Sequence, residues 1–468
     1  MSDDAFSLDL EHIEEILPRY ATEGPRYTSY PTAPVWSEAY DAAAYRAELG
    51  RDDISPDDPL SVYVHVPFCK SLCHFCACNR VITQKTELPV EYLASIEREV
   101  SAVRTAVHVP RRTTQHHWGG GTPTHLTPEQ VTRLFHTVND AFPAAPGAEI
   151  SIEVDPRVTT DEHIAALREC GFNRISMGVQ DFEPRVQQAI HRDQPAEMTG
   201  RLAAVARAAG FESVNFDLIY GLPYQTLATF ERTLDTVMDL APDRIALYSY
   251  AHVTWVAKQQ RGFERGDLPD AGTKLAIMLL AIRRFIEAGY LFIGLDHFAR
   301  PDDELAIALR DRTLRRNFMG HTTQAGVDMI GFGPSAISEL RGSYAQSQRD
   351  IAAWHQAVKE HGVATMRGHV LSRDDIERRW IIGRIMCHGE MRASEFHDEF
   401  GSEFAQRYAT ELASLDREVA DGLVTRSGDG SIHVTPLGRL LVRNIAMHFD
   451  AYLPGQLESG KRIFSKTV

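Results

Sequence analysis

Four of the six cysteines, Cys69, Cys73, Cys76 and Cys78, fall within ten residues of the stretch "YVHVPFCKSLCHFCACN" (63–79), spaced C-x3-C-x2-C-x-C. Thiolates are soft ligands suited to zinc, copper(I) or iron–sulfur clusters. A structural zinc site usually draws its ligands from two separated pairs, so that the metal closes a loop of chain. One compact loop can instead supply three corners of a cubane [4Fe–4S] cluster and leave the fourth iron open, whereas electron carriers normally take four cysteines. The spacing therefore ranks iron–sulfur ahead of zinc and leaves the part played by Cys78 open. Cys170 and Cys387 stand alone and read as buried, inert thiols in helices.

Three further stretches carry groups with chemical potential. "HWGGGTPT" (117–124) offers Gly119, Gly120 and Gly121, which let backbone approach a ligand closely, and the Thr122 hydroxyl. Taken alone, it is equally a tight turn at a strand end. "SIEVDP" places Glu153 at a strand end, where it would pair with an ammonium or ribose hydroxyls, or simply stand in solvent. Arg192, in "AIHRDQ", reads by itself as a surface arginine.

The elements that must position these groups follow from periodicity. β-Rich runs recur at 60–67, 116–122, 149–156, 174–179, 213–223 and 244–253, with helix patterns between most of them. In "PVEYLASIEREVSAV" the residues Val90, Leu93, Ile96, Val100 and Val103 step by three and four, marking one helical face. "DEHIAALRECG" (161–171) is similar and stops at glycine. Strands alternating with helices imply parallel pairing through right-handed crossovers. We expect an α/β fold, an incomplete (β/α)6-type parallel barrel whose site lies at the strands' C-terminal ends; an open doubly wound sheet is the alternative. Residues 1–55 read as an irregular arm wrapping the barrel, residues 56–365 as the barrel, and residues 366–468 as a mainly helical domain. There "LVTRSGDGSIHVT" predicts a hairpin turning at Gly428-Asp429-Gly430, and the whole resembles a winged-helix module.

A net charge of −15 argues against broad nucleic-acid binding, and assigns that module a lid or docking role. The longest apolar run, "LAIMLLAI" (275–282), is far shorter than the roughly 20 residues a membrane-spanning helix needs. The acidic start shows no basic region followed by an apolar stretch. Clustered thiols without an export signal predict a cytoplasmic protein, with no membrane span and no nucleic-acid partner.

The C-x3-C-x2-C pattern after a first barrel strand resembles the signature of radical S-adenosylmethionine (AdoMet) enzymes. With "HWGGGTPT", "EISIEVDPR", "NRISMGVQDF", "NFDLIYGLPYQT", "DHFARPDDELA" and "NFMGHTTQ", the chain resembles the oxygen-independent coproporphyrinogen III oxidase family over nearly its whole length. The resemblance implies that Cys69, Cys73 and Cys76 ligate a [4Fe–4S] cluster whose open iron binds AdoMet. One-electron cleavage then gives a 5′-deoxyadenosyl radical. It implies that Tyr63, Gly119, Glu153 and Ile337 contact that AdoMet, with the Gly119–Gly121 loop at its methionyl amino group. It also implies that Phe75, Gly120, Thr122, Gln180, Arg192, Asp217 and Ala251 line the place of a second AdoMet. Cys78 is expected to be needed near the cluster without binding iron.

The implied reaction converts two propionates of coproporphyrinogen III to vinyls, giving protoporphyrinogen IX in anaerobic haem biosynthesis. It uses an electron donor and an electron acceptor that the sequence does not identify, and a monomer is expected. A substrate with four carboxylates calls for arginine anchors; the candidates are Arg26, Arg300, Arg315 and Arg316, while Tyr27 and Tyr30 of the arm are candidates to shield the radical site. A haem-binding trafficking protein and a radical AdoMet methyltransferase or cyclopropanase are the alternatives on this scaffold. The arm and Cys78 favour the oxidase over the first, and "HFARPDDELA" and "NFMGHTTQ" favour it over the second.

Overall fold

The structure, a computed structural model, describes residues 10–254, 257–324, 326–458 and 463–467. Its centre is six parallel strands: β1 (Leu60–Val66), β2 (Thr113–Gly120), β3 (Ala144–Val154), β4 (Arg174–Gln180), β5 (Ser213–Tyr220) and β6 (Arg244–Ser249). All six runs expected from the sequence form strands, in sequence order. Residues of β1 are buried on both faces apart from the half-buried Tyr63, as strands covered by helices on one side and a filled interior on the other must be. Each fully buried Val or Ile contributes about 1.5–3 kcal/mol relative to exposure.

The connecting helices start where the chain offers caps. Thr127 with Gln130, Thr160 with His163 and Thr226 with Thr229 form reciprocal capping boxes, each worth about 1 kcal/mol over alanine at the cap. In helix Glu87–Ala106 the buried stripe is Pro89, Tyr92, Leu93, Ile96, Glu99, Val100 and Val103. Val90, expected on that stripe, is 52% exposed; Pro89 takes its place, because 89, 92, 96, 99 and 103 keep the helical repeat that 90 leaves. Cys170 caps helix Asp161–Glu169 and Cys387 lies in helix Arg373–His388, both buried.

The sheet extends beyond the six strands. Asp328–Phe332 pairs parallel to β1, followed by antiparallel Ile337–Leu340, Ser343–Ser347 and Thr365–Val370; at the other end His297–Ala299 and Leu291–Gly294 add antiparallel to β6. The twelve-stranded sheet does not close, in keeping with an incomplete barrel. A short hairpin, Arg315–Asn317 paired with Gly320–Thr322, reaches across the interior: Gln115 Nε2 on β2 donates to Thr322 Oγ1 at 3.2 Å, and His321 meets His297.

The first 55 residues are not irregular throughout. They carry helices Leu10–Tyr20 and Ala42–Leu49, the second capped by the Asp41 carboxylate. The tyrosine-rich stretch turns toward the C-terminal segment: Tyr27 donates to Asp450 at 3.0 Å, Tyr30 accepts from the Ala451 amide at 3.0 Å, and Arg443 donates to the Pro25 carbonyl at 2.9 Å. Tyr27 and Tyr30 thus bind the two ends of the chain together, where the sequence suggested a shield over the radical site. Beyond residue 371 the chain is mainly helical, with a three-stranded sheet of Glu390–Met391, Ile432–Val434 and Val424–Arg426; the expected hairpin turns at Gly428-Asp429-Gly430. Among the described residues, no helix is long and apolar enough to cross a membrane.

Candidate active site

The cysteine loop leaves β1 at Pro67 and is pinned to the glycine loop beside it. Gly121 N donates to Val66 O at 2.8 Å and Thr122 N to Phe68 O at 2.8 Å, while Val81 N and Thr83 N return to Pro67 O and Cys69 O at 2.7 and 3.0 Å. The loop therefore stands at the C-terminal ends of β1 and β2, where a β/α barrel gathers its chemistry. Cys69 Sγ accepts from Thr122 Oγ1 at 3.5 Å, and its burial pushes the thiol up to about 11. Cys73 Sγ accepts from two guanidiniums, Arg157 Nη2 at 3.4 Å and Arg192 Nη1 at 3.6 Å. The thiol of Cys76 is held down, to about 6, chiefly by hydrogen bonding to Cys78, against the effect of its burial. Cys78 itself is exposed at the end of the loop.

Both guanidiniums also grip Asp155, at 2.7 Å from Arg157 and 3.3 Å from Arg192. Burial opposes the Asp155 charge, but the two arginines more than offset this and hold it at about 2. Arg192 is buried, contrary to its surface reading from sequence alone, and also donates to Gly178 O at 2.7 Å. Arg157 and Asp155 were not singled out from the sequence. The signal was available in "EVDPR", where an acid and an arginine two apart follow a strand end directly.

Fit to a cluster rests on this donor set. Three soft thiols on one short loop, one of them under two N–H donors from arginines, suit an anionic iron–sulfur cluster. Among the described residues no three His, Cys, Asp or Glu side chains are arranged to share a single metal ion.

Next to the thiols, the glycine loop approaches too closely for side chains. A Cβ on Gly119 would stand 2.8 Å from the Glu153 carboxyl carbon, and one on Gly120, whose φ is +114°, would stand 2.6 Å from the His65 ring. Gly120 N donates to Glu153 Oε2 at 3.2 Å. Burial works against the Glu153 charge, yet His117, 3.5 Å away, the Gly120 amide and His65 together hold its carboxyl below the usual range. Tyr63 stacks on His117 with centroids 6.0 Å apart and meets His65 Nδ1 at 3.1 Å.

Strand register carries this polar layer around the interior. Tyr63 lies opposite His117 and His117 opposite Ser151, while Glu153 lies opposite Ser176 and Ser176 opposite Asn215. Asp217 accepts from Ser176 at 3.0 Å and Asn215 at 2.9 Å; burial first, then the nearby Glu153, pushes it up to about 7. His117, Glu153, Ser176, Asp217, Tyr248 and His297 share the wall of one cavity. His65 and His117 escaped the sequence reading although each sits two residues from a chosen one, Tyr63 and Gly119, on the same face of its strand.

Of the other expected residues, Phe75 and Ala251 are brought together by Gln260, whose Nε2 donates to their carbonyls at 2.9 and 3.2 Å. Gln180 is buried with φ +69°, its amide beside Gly178 and Arg192. Ile337 lies farthest round the sheet, backed onto Gly331, the strand partner of Tyr63, and packed against Trp36 and Tyr344. Among the arginines, Arg300 is 43% exposed and rests on Tyr290 outside the cavity. Arg315 donates to Leu314 O and faces His388. Arg26 pairs with Asp296 and lies over Tyr248, and Arg316 points into the same region.

Comparison with known proteins agrees with this arrangement. Residues 63–237 match the Radical SAM superfamily model and residues 371–441 the HemN C-terminal domain model. The oxygen-independent coproporphyrinogen III oxidase of Synechocystis sp. is 44% identical over 98% of both chains, and that of Salmonella typhimurium 45% identical over 97% of both. The solved structure of coproporphyrinogen III oxidase (HemN) from Escherichia coli, described as a radical SAM enzyme, superposes with a TM-score of 0.90 at 42% identity, covering 96% of this chain and all of that one. With that membership come the superfamily's two cofactors, a [4Fe–4S] cluster and AdoMet. A thiol loop at the mouth of an open parallel barrel, a glycine–carboxylate cradle beside it and near-complete likeness to these enzymes lead to one assignment: the chain belongs to the oxygen-independent coproporphyrinogen III oxidase family.

Proposed function

We propose that the chain carries out the oxidative decarboxylation of two propionate side chains of coproporphyrinogen III to vinyls, yielding protoporphyrinogen IX. The observation that carries this is likeness over nearly the whole length, arm and C-terminal region included, to enzymes named for that activity. Cluster and AdoMet, when bound, supply a carbon radical able to remove a hydrogen atom from an unactivated carbon. For each propionate, a hydrogen atom leaves the β-carbon, the bond to the carboxylate breaks with release of carbon dioxide, and one electron passes to an external acceptor.

The chain's own residues do the holding and positioning. Cys69, Cys73 and Cys76 would bind three irons, and Arg157 and Arg192 donate toward Cys73, spreading the negative charge of that ligand. Glu153, kept ionised, is placed to accept from the methionyl ammonium of AdoMet while Gly119 leaves room for it. Tyr63 and Ile337 complete the contacts of this molecule. The Gly119–Gly121 loop lies at its methionyl amino group, and Phe75, Gly120, Thr122, Gln180, Arg192, Asp217 and Ala251 line the region assigned to a second AdoMet. Residues 1–55 act as an arm, residues 56–365 as the catalytic barrel, and residues 366–468 as a C-terminal domain clasping that arm.

Cys78 has a supporting part beside the cluster: it stands two residues beyond Cys76, at the exposed end of the loop, and is not needed as an iron ligand. Cys78→Ser is expected to keep the iron content and lower turnover; full turnover with an intact cluster would remove Cys78 from the site. The proposal as a whole is tested by anaerobic reconstitution with iron and sulfide, followed by AdoMet, reductant and coproporphyrinogen III. Substrate-dependent formation of 5′-deoxyadenosine is expected, and stoichiometric haem binding without turnover would favour the trafficking alternative.

A further inference from the structure

The interior cavity has a second chemical pole, on the wall formed by the hairpin Arg315–Thr322 and the strand His297–Ala299. Six arginines approach it, and five are already engaged: Arg174 is ion-paired with Glu304 and Arg244 with Asp303. Arg26 is ion-paired with Asp296. Arg439 donates to the Phe292 and Ile293 carbonyls at 3.1 and 3.0 Å, and Arg443 to the Pro25 and Gly24 carbonyls. Arg316 differs: its Nε and Nη1 are buried and have no hydrogen-bond partner. Arginine stays protonated in proteins, so these are donors of a buried full charge left without an acceptor.

The neighbours extend the same theme. His321 stands edge-on to His297, with ring centroids 5.0 Å apart and their Nδ1 atoms at 3.3 Å, and His321 Nε2 is also buried without a partner. Burial, Arg316 and His297 push the His321 ring well below the usual histidine range, and burial pushes His297 down to about 4. Both imidazoles are therefore neutral near pH 7 and add hydrogen-bonding capacity without further charge. His297 and His321 line the cavity that also holds Glu153 and Asp217, and Arg316 lies opposite His321 in the hairpin register, at the edge of that chamber.

A guanidinium with two buried, unpartnered nitrogens and an unpartnered imidazole nitrogen beside it is complementary to one carboxylate, which could accept from both. We propose that Arg316, assisted by His321, binds a propionate carboxylate of the porphyrinogen and thereby sets which side chain is presented to the radical. This rests on the proposed function for the identity of the ligand. Arg26 is held in reserve by Asp296, which keeps the empty pocket from carrying two bare charges side by side. Arg316 acts here as a positioning residue. Its unmet donors distinguish it from Arg26, Arg300 and Arg315, all of which have partners in the structure.

The test uses the reconstituted holoenzyme and three chains: wild type, Arg316→Gln and Arg316→Lys, with His321→Gln as a second, milder variant. Removing an unpaired buried charge should not impair folding, and iron content confirms that each cluster is intact. Binding of coproporphyrin III and of its tetramethyl ester is followed by fluorescence, and KM and kcat are measured for coproporphyrinogen III. Wild type should prefer the free acid to the ester at least tenfold. Arg316→Gln should lose most of that preference and raise KM about tenfold or more, by a larger factor than it lowers kcat; Arg316→Lys should recover part of it, and His321→Gln should show a smaller shift in the same direction. An Arg316→Gln enzyme with wild-type KM and wild-type acid-over-ester preference would overturn the inference while leaving the function standing. A wild type that binds the acid through Arg316 yet forms no protoporphyrinogen would overturn the function and leave the carboxylate site standing.

Discussion

The thiol loop at the mouth of the barrel and the cationic pocket deeper in it are built in opposite ways. The first is written in one stretch of ten residues, and its neighbours, the glycine loop and "EVDPR", come from the next two strands. The second is assembled from Arg26, Asp296, His297, Arg316 and His321, drawn from the arm, the edge of the sheet and a crossing hairpin. At the mouth the charges are matched internally: Asp155 sits between two arginines that also serve Cys73. In the pocket one guanidinium is unmatched. A site for a resident cofactor can be preorganised by its own chain, whereas a site for an anionic substrate keeps its complement open until the substrate arrives.

Separating the two regions experimentally should give effects of graded size. Cys73→Ser, or the same change at Cys69 or Cys76, is expected to abolish 5′-deoxyadenosine formation and iron–sulfur absorbance while coproporphyrin III still binds through the pocket. Full AdoMet cleavage in any of these variants would break the assignment of the mouth. Arg192→Gln should cost less: it removes one of two donors to Cys73 and one of two partners of Asp155. We expect a loss of about 2 kcal/mol in stability, with a cluster that is released faster to a chelator. Unchanged cluster retention would show that Arg157 alone suffices.

A pH-dependent effect belongs to Asp217, which lies in the polar layer between the two regions. Its folded value of about 7 exceeds the roughly 3.9 of an unfolded aspartate. The folded protein thus binds the extra proton between those values. This contribution is fully present below about pH 4, declines as pH rises toward 7, and changes no further above it. Asp217→Asn should accordingly flatten the fall in stability between pH 4 and 7, measured by chemical denaturation; an unaltered slope would contradict the raised value.

What the sequence disclosed follows the same divide. Six strands were legible because their alternation with capped helices is local, and the C-x3-C-x2-C spacing needs no tertiary information. Asp328–Phe332 and the strands after it were not, because their short runs are broken by Gly333-Pro334 and become strands only beside β1. The arm's helices were hidden by the surrounding tyrosines and prolines. Arg192 looked like a surface residue since nothing near it in sequence reveals that Asp155 and Cys73 cover it. Arg316 was one of four equal candidates until burial and pairing separated them, a distinction that exists only once distant segments meet.

Product mass decides whether a porphyrinogen undergoes radical decarboxylation at this site. After anaerobic incubation with coproporphyrinogen III, AdoMet and reductant, the expected product is lighter by two carbon dioxide molecules and four hydrogen atoms, with two 5′-deoxyadenosines formed per product. An unchanged tetrapyrrole, or one heavier by a methyl or methylene group, would contradict it.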